Sequence, residues 1–230
     1  MSTSFYEGTG LLTLEKVTPI IKALFQGFAL TPDFNDRGDA FIALITESST
    51  PDWDSIKHRL LALASERDIS IGGTDEPTIQ SILRALIGFF GTGDQDQLDQ
   101  LTALIENNCF ELAPHLKELF LIATACNDGH NLTKICFQGC YRCAKPRLHE
   151  FGGNSLFISQ RLTLLSDTLA GLCRAVDIHG ALLENDLDDA ASLIVSEMKR
   201  LLAGIAEPVT RAAVQTLVTR HLLQSSSLVS

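Results

Sequence analysis

Residues 135–153, ICFQGCYRCAKPRLHEFGG, gather three of the chain's six cysteines, one of its six histidines and a glycine pair. Three chemistries suit such a stretch. Cys136, Cys140 and Cys143 could hold a metal, one of them could act as a nucleophile, or all three could fill a strand. Zinc needs four ligands converging on a tetrahedron, with sulfur about 2.3 Å from the ion. Cys140-x-x-Cys143 is a common half-site for it, and Cys136, His130 or His149 would complete the set. No second closely spaced cysteine pair stands elsewhere in the chain to strengthen that reading. A nucleophile needs a thiolate, which nearby cations favour. Between residues 131 and 161 lie Lys134, Arg142, Lys145, Arg147 and Arg161 against the single acid Glu150, a basic island in a chain of net charge −10.

The cysteine spacing is similar to that with which radical S-adenosylmethionine enzymes hold a four-iron cluster, and Gly152-Gly153 follows it. That resemblance implies an open iron for substrate and a run of strand–helix units after the motif. The residues beyond Cys143 read mostly as plain helices instead, and the glycine pair lacks its usual following acid. Laid on a strand, Ile135, Phe137, Gly139, Tyr141 and Cys143 point one way, and Lys134, Cys136, Gln138, Cys140 and Arg142 the other. Three thiolates then diverge unless Gly139 introduces a bulge. Cys143 falls on the apolar face, where Phe137, Tyr141 and Phe151, with Arg147 nearby, could line a pocket. A thiol there could carry an acyl group or perform acyl transfer, with His130 or His149 as its base.

Other chemistry-bearing residues have simpler explanations. Asp128 and His130 lie in DGHN, whose Asp, Gly and Asn are turn formers. His58, His179 and His221 fall on helices without a metalloprotease arrangement. The GTG triplets at 8–10 and 91–93 lack the continuation that cradles phosphate. No glycine flanks the serines of LITESSTPDWDSI as a nucleophile elbow requires. Asp186, Asp188 and Asp189 read as an acidic helix start rather than a calcium loop.

The elements that must position these residues follow from periodicity and capping. Thr18-Pro19 opens a helix through Ile21, Leu24, Phe25 and Phe28, with Thr as its cap. Residues 39–47 form a short apolar run suited to a buried strand. Thr50-Pro51-Asp52-Trp53 repeats the capping arrangement before Ile56, Leu60, Leu63 and Ala64. Thr74-Asp75-Glu76-Pro77 opens a third helix that ends near Gly88 or Gly91, and a fourth spans 94–107. Residues 116–126 fit either a helix or a buried strand, since period alone cannot separate them. Strands are expected at 132–143 and 154–165. Three helices follow: Leu169, Leu172, Cys173, Val176 and Leu183 define one, and Ile194, Val195, Met198, Leu201, Leu202 and Ile205 define the next. The last starts at Glu207-Pro208, with Val214, Leu217, Val218 and Leu222. The sum is an α+β fold, a small mixed or antiparallel sheet packed by about seven helices, in one domain over 1–230 with a flexible tail at 224–230.

Composition narrows the function class. Hydrophobic residues at 45% and charged residues at 20% balance as in globular chains. A net charge of −10 argues against nucleic acid and against anionic lipid. The opening MSTSFYEGTG lacks the basic start and apolar core of a signal peptide, and no apolar run reaches the roughly 18–20 residues of a membrane span. The expected location is therefore cytoplasmic, with reduced cysteines, although export without a cleavable signal leaves no trace in a sequence. The leading expectation is a soluble, non-catalytic protein that binds a protein partner or a small apolar ligand and needs no cofactor. A functional Cys143 or Cys140, S-acylated or performing acyl transfer, is the second. A structural zinc at Cys136, Cys140 and Cys143 is the third.

Overall fold

The computed structural model describes residues 4–32, 38–45, 49, 51–72, 76–91, 95–145 and 150–226. The chain is an α+β protein, and every strand pair whose register is described is antiparallel. Read from sequence as one domain, it divides into two compact units, residues 1–151 and 152–230. No helix among the described residues is long and apolar enough to cross a membrane.

The first unit holds three strands of a five-stranded sheet, and five helices. Its strands are β1 (Ser4–Thr13), β2 (Ala40–Leu44) and β3 (Lys134–Cys143), with β1 in the middle. Leu12 faces Ala40 on one side and Ile135 on the other. The opening strand was not expected, because Gly8 and Gly10 interrupt its pattern. Both glycines lie under the ring of Phe137 on β3, and a Cβ on Gly10 would stand 2.8 Å from that ring. The first GTG triplet is thus a bed for an aromatic side chain. The strand expected over 39–47 is described as Ala40–Leu44, with Ala40 and Ile42 fully buried.

The helices are α1 (Pro19–Phe25), α2 (Trp53–Glu66), α3 (Ile79–Phe90), α4 (Gln95–Asn107) and α5 (Leu116–Ala125). Ile20, Ile21, Leu24, Phe25, Ile56, Leu60, Ile82, Leu83, Leu86 and Leu101 form the centre of the core. The ambiguous stretch 116–126 is therefore helix rather than strand. Its first turn is fixed by Glu118, whose carboxylate accepts from the His115 backbone N–H at 2.9 Å and from Asn108 at 2.7 Å.

Helix starts differ from expectation in an instructive way. Thr18 does not cap α1 with its side chain. Its hydroxyl donates instead to Asp128 at 2.5 Å, and the same carboxylate accepts from the Ile20 N–H at 3.2 Å. The acid at the positive end of α1 thus comes from a distant loop. In α2 the cap is Asp52, which accepts from the Ser55 N–H at 2.7 Å; these bonds hold its carboxyl below the usual range. Thr50 lies outside the described residues. Thr78 caps α3, four residues later than expected at Thr74, which with Asp75 also lies outside them. Gly88 sits inside that helix, and Gly91 ends it.

The second unit begins with a hairpin, β4 (Phe151–Ser159) and β5 (Thr163–Asp167), where one strand over 154–165 was expected. Ser159 turns the chain: its hydroxyl oxygen accepts from the backbone N–H groups of Arg161 at 3.3 Å and Leu162 at 3.0 Å. Next come α6 (Thr168–Leu183), α7 (Leu187–Ala203) and α8 (Pro208–Ser226). Asp167 caps α6 by accepting from Leu169 and Ala170, and Asp186 caps α7 by accepting from Asp189. Arg174 and Glu197, 2.9 Å apart, tie α6 to α7. Eight α-helices are described where about seven were expected, the extra one being 116–125. The last runs to Ser226, through part of the stretch expected to be a loose tail.

Candidate functional site

The cysteine stretch lies on β3 in unbroken register with β1: Cys136 faces Leu11, Gly139 faces Gly8, Cys140 faces Glu7 and Cys143 faces Ser4. There is no bulge at Gly139. Cys136 and Cys140 are exposed on one face of the strand, while Cys143 is 5% exposed on the other. Four strand residues span about 13 Å, far more than one zinc ion bridges with its roughly 2.3 Å bonds. Among the described residues no group of three or more His, Cys, Asp or Glu side chains could hold a metal ion.

The neighbours proposed for Cys143 differ in burial. Phe137 is buried over the two glycines of β1, and Tyr141 is half-buried opposite Tyr6. Phe151 is 54% exposed at the start of β4. Arg147 and His149 lie outside the described residues. Arg142 points to the opposite side of β3, over the Phe5 ring at 5.0 Å, so one cation of the basic island has an aromatic partner.

His130 is far from Cys143. It precedes β3, whereas Cys143 ends it, and the ten-residue strand alone is roughly 30 Å long. The imidazole is fully buried and bonded at both nitrogens. Nδ1 accepts from the Leu132 N–H at 2.9 Å, which leaves Nε2 to carry the proton and donate to the Ala123 carbonyl at 3.1 Å. Its own carbonyl accepts from the Glu15 N–H at 2.8 Å. Burial lowers its pKa, opposed by the Asp128 charge and the Ala123 bond. His130 thus joins α5, the segment after β1 and the entry to β3, the first and last through its ring and the second through its carbonyl. Within the surrounding turn Asn127 accepts from the Gly129 and Asn131 backbones, with Gly129 at φ +95° and Asn131 at φ +48°. Burial pushes the thiol of neighbouring Cys126 up to about 12, and the Asp128 charge adds to the effect.

The most unusual surface lies on the helices that close the chain. Leu172, Val176 and Leu183 of α6 are 52%, 62% and 74% exposed. Cys173, Ala175, His179 and Leu182 are exposed as well. Arg174, Ile178 and Ala181 form the less exposed side, so α6 shows a broader apolar face than it covers. Leu169, Leu172, Val176, His179 and Leu183 recur at alternating intervals of three and four, the spacing of a helix-packing seam. On α7, Leu187, Ile194, Val195 and Leu201 are exposed, and α8 has no buried residue among those whose burial is described. Among the described residues of this unit, only Ile158, Ala181 and Ala190 are buried hydrophobics. Leu172, Cys173, Val176 and Leu183, Ile194, Val195 and Leu201, and Leu217 and Leu222, whose spacing marks the three helices in the sequence, are thus exposed. The missed signal was composition: α6 carries only Arg174 and Asp177 as charged residues, and a helix apolar nearly all round belongs in an interior.

No family model matches the chain, and neither a curated protein nor a solved structure matches it.

Proposed function

We propose that this chain works by binding protein through the helices of residues 168–226, rather than by chemistry at the cysteine stretch. The observation that carries this reading is the outer face of α6, where Leu172, Val176 and Leu183 stand more than half exposed along one line. Contiguous apolar surface of this kind marks interaction sites, because water contact costs about 25 cal/mol for each Å² left uncovered. α8 supports it independently. A Val- and Thr-rich helix with no buried residue among those whose burial is described gains little from its own propensity and depends on packing for its order. Against a thiol or zinc function stands the divergence of Cys136 and Cys140 from Cys143.

The purified chain is expected to show this face either occupied or open. Occupied, it gives a mass above 25.0 kDa in light scattering. Open, it enhances the fluorescence of an anilinonaphthalene sulfonate dye, and Val176→Glu removes the enhancement. A monomer that leaves the dye dark would sink the reading.

A further inference from the structure

We infer that the occupant of the α6 outer face is a second copy of this chain, its α6 packed antiparallel on the first about a two-fold axis at Val176. This rests on the protein-binding reading above and names the partner. The face is complementary to itself in that arrangement. An axis at Val176 sets Leu169 opposite Leu183 of the second copy, and Leu172 opposite its Gly180. Gly180 is otherwise unaccounted for. It has no positive φ, and a Cβ built on it would meet nothing within 4 Å in its own chain. Glycine inside a helix nonetheless costs about 1 kcal/mol relative to alanine. A leucine from a second helix would use the space that the missing side chain leaves.

Area and charge agree. The exposed parts of Leu172, Cys173, Val176, His179 and Leu183 amount to on the order of 500 Å² from this helix alone, toward the roughly 800 Å² per partner of a standard interface. Neither Arg174 nor Asp177, the only charged residues of α6, lies on the seam. The orientation follows from the turn after α6, where Glu184, Asp186, Asp188 and Asp189 collect with no Lys or Arg between Arg174 and Lys199. Parallel helices would stack these four carboxylates on their own copies. Antiparallel helices separate the two clusters by about 24 Å, well beyond the ~10 Å over which charges act at 0.1 M salt. Each cluster then lies toward the end of the second copy where Arg161, Lys199, Arg200 and Arg211 gather with Asp167, Glu197 and Glu207, Arg200 already bonded to Glu197 and to the Leu165 carbonyl.

Light scattering and sedimentation on the full chain across a dilution series test the proposal. Wild type is expected at twice 25.0 kDa, dissociating on dilution, with Cys173 protected from thiol reagent in the dimer and labelled in the monomer. Val176→Glu should weaken association at least tenfold. Gly180→Leu should do the same while leaving the helical circular dichroism intact or raised, since leucine is the better helix former; a glycine with a merely local role would not move the mass. A wild-type monomer, or a dimer that both variants leave intact, overturns the inference. Dye fluorescence separates the two failures: a monomer that binds the dye retires the second copy and keeps the protein-binding reading. A monomer that leaves it dark ends both.

Discussion

His130 is the residue on which most of the local structure in the first unit converges, and its protonation state follows from its bonds. A proton on Nδ1 would remove the acceptor of the Leu132 N–H inside a fully buried site. The folded chain therefore binds that proton at lower pH than the unfolded chain, whose imidazole has the ordinary value of 6.5. Its contribution to stability is complete above that value and is lost as pH falls below it, through the folded value. Urea midpoints should hold steady above about pH 6.5 and drop as pH falls below it, and His130→Gln should flatten the drop. His130→Ala should cost about 2–3 kcal/mol at neutral pH, since two buried partners are left unbonded. Asp128→Ala should cost about 1–2 kcal/mol by thermal melts, the usual worth of a helix cap. Among the thiols, Cys109, Cys136 and Cys140 should react quickly in the native protein, with Cys126 and Cys143 reacting only on unfolding. A fast Cys143 would contradict its burial. The divergence of the three β3 cysteines was legible in the sequence because a strand's period of two leaves no freedom. The role of His130 was not, because its partners at residues 15 and 123 are neighbours only in space.

At the scale of elements, what was legible and what was not differ by where the determining contact lies. The strand near 40–44 and the helices at 53–66 and 79–90 carry their signals within themselves, as apolar runs and side-chain caps. β1 carries a misleading one, since glycines normally mark turns. Its glycines answer to Phe137, opposite Gly10 on another strand. Gly10→Val should destabilise the fold by about 1–3 kcal/mol in urea titration, through overpacking. In a Phe137→Ala background the same change should cost less without becoming neutral, because the ring is gone while the Cys136 carbonyl oxygen still stands 2.7 Å from the added Cβ. Equal costs in both backgrounds would separate the glycine from the ring. The hairpin of β4 and β5 was read as one strand because apolar alternation continues across 159–163, and nothing in the pattern reveals that the Ser159 side chain closes a turn.

Across the whole molecule, the two units differ in how much they bury, and periodicity could not report it. The pattern of α6, α7 and α8 identified helices correctly, yet a helix apolar nearly all round does not say which side is covered. Hydrogen exchange should reflect the contrast: amides of α2, which buries Trp53, Ile56, Leu60, Leu63 and Ala64, should exchange orders of magnitude more slowly than those of α8. Comparable protection in both would mean that α8 is covered. The loop carboxylate that finishes α1 has a consequence in time rather than in energy. Asp128 follows Thr18 by 110 positions, and β3 pairs with β1 across a similar stretch. At about 5–20 residues per second, synthesis delivers these partners roughly 6–25 s after the segments that need them. β2 arrives early, so β1 gains one neighbour and then waits with its other edge unpaired, in the state most open to pairing with a foreign strand. The pace of translation between residues 44 and 134 thus sets how long the nascent protein is vulnerable, and slowing it there should raise the fraction lost to aggregation.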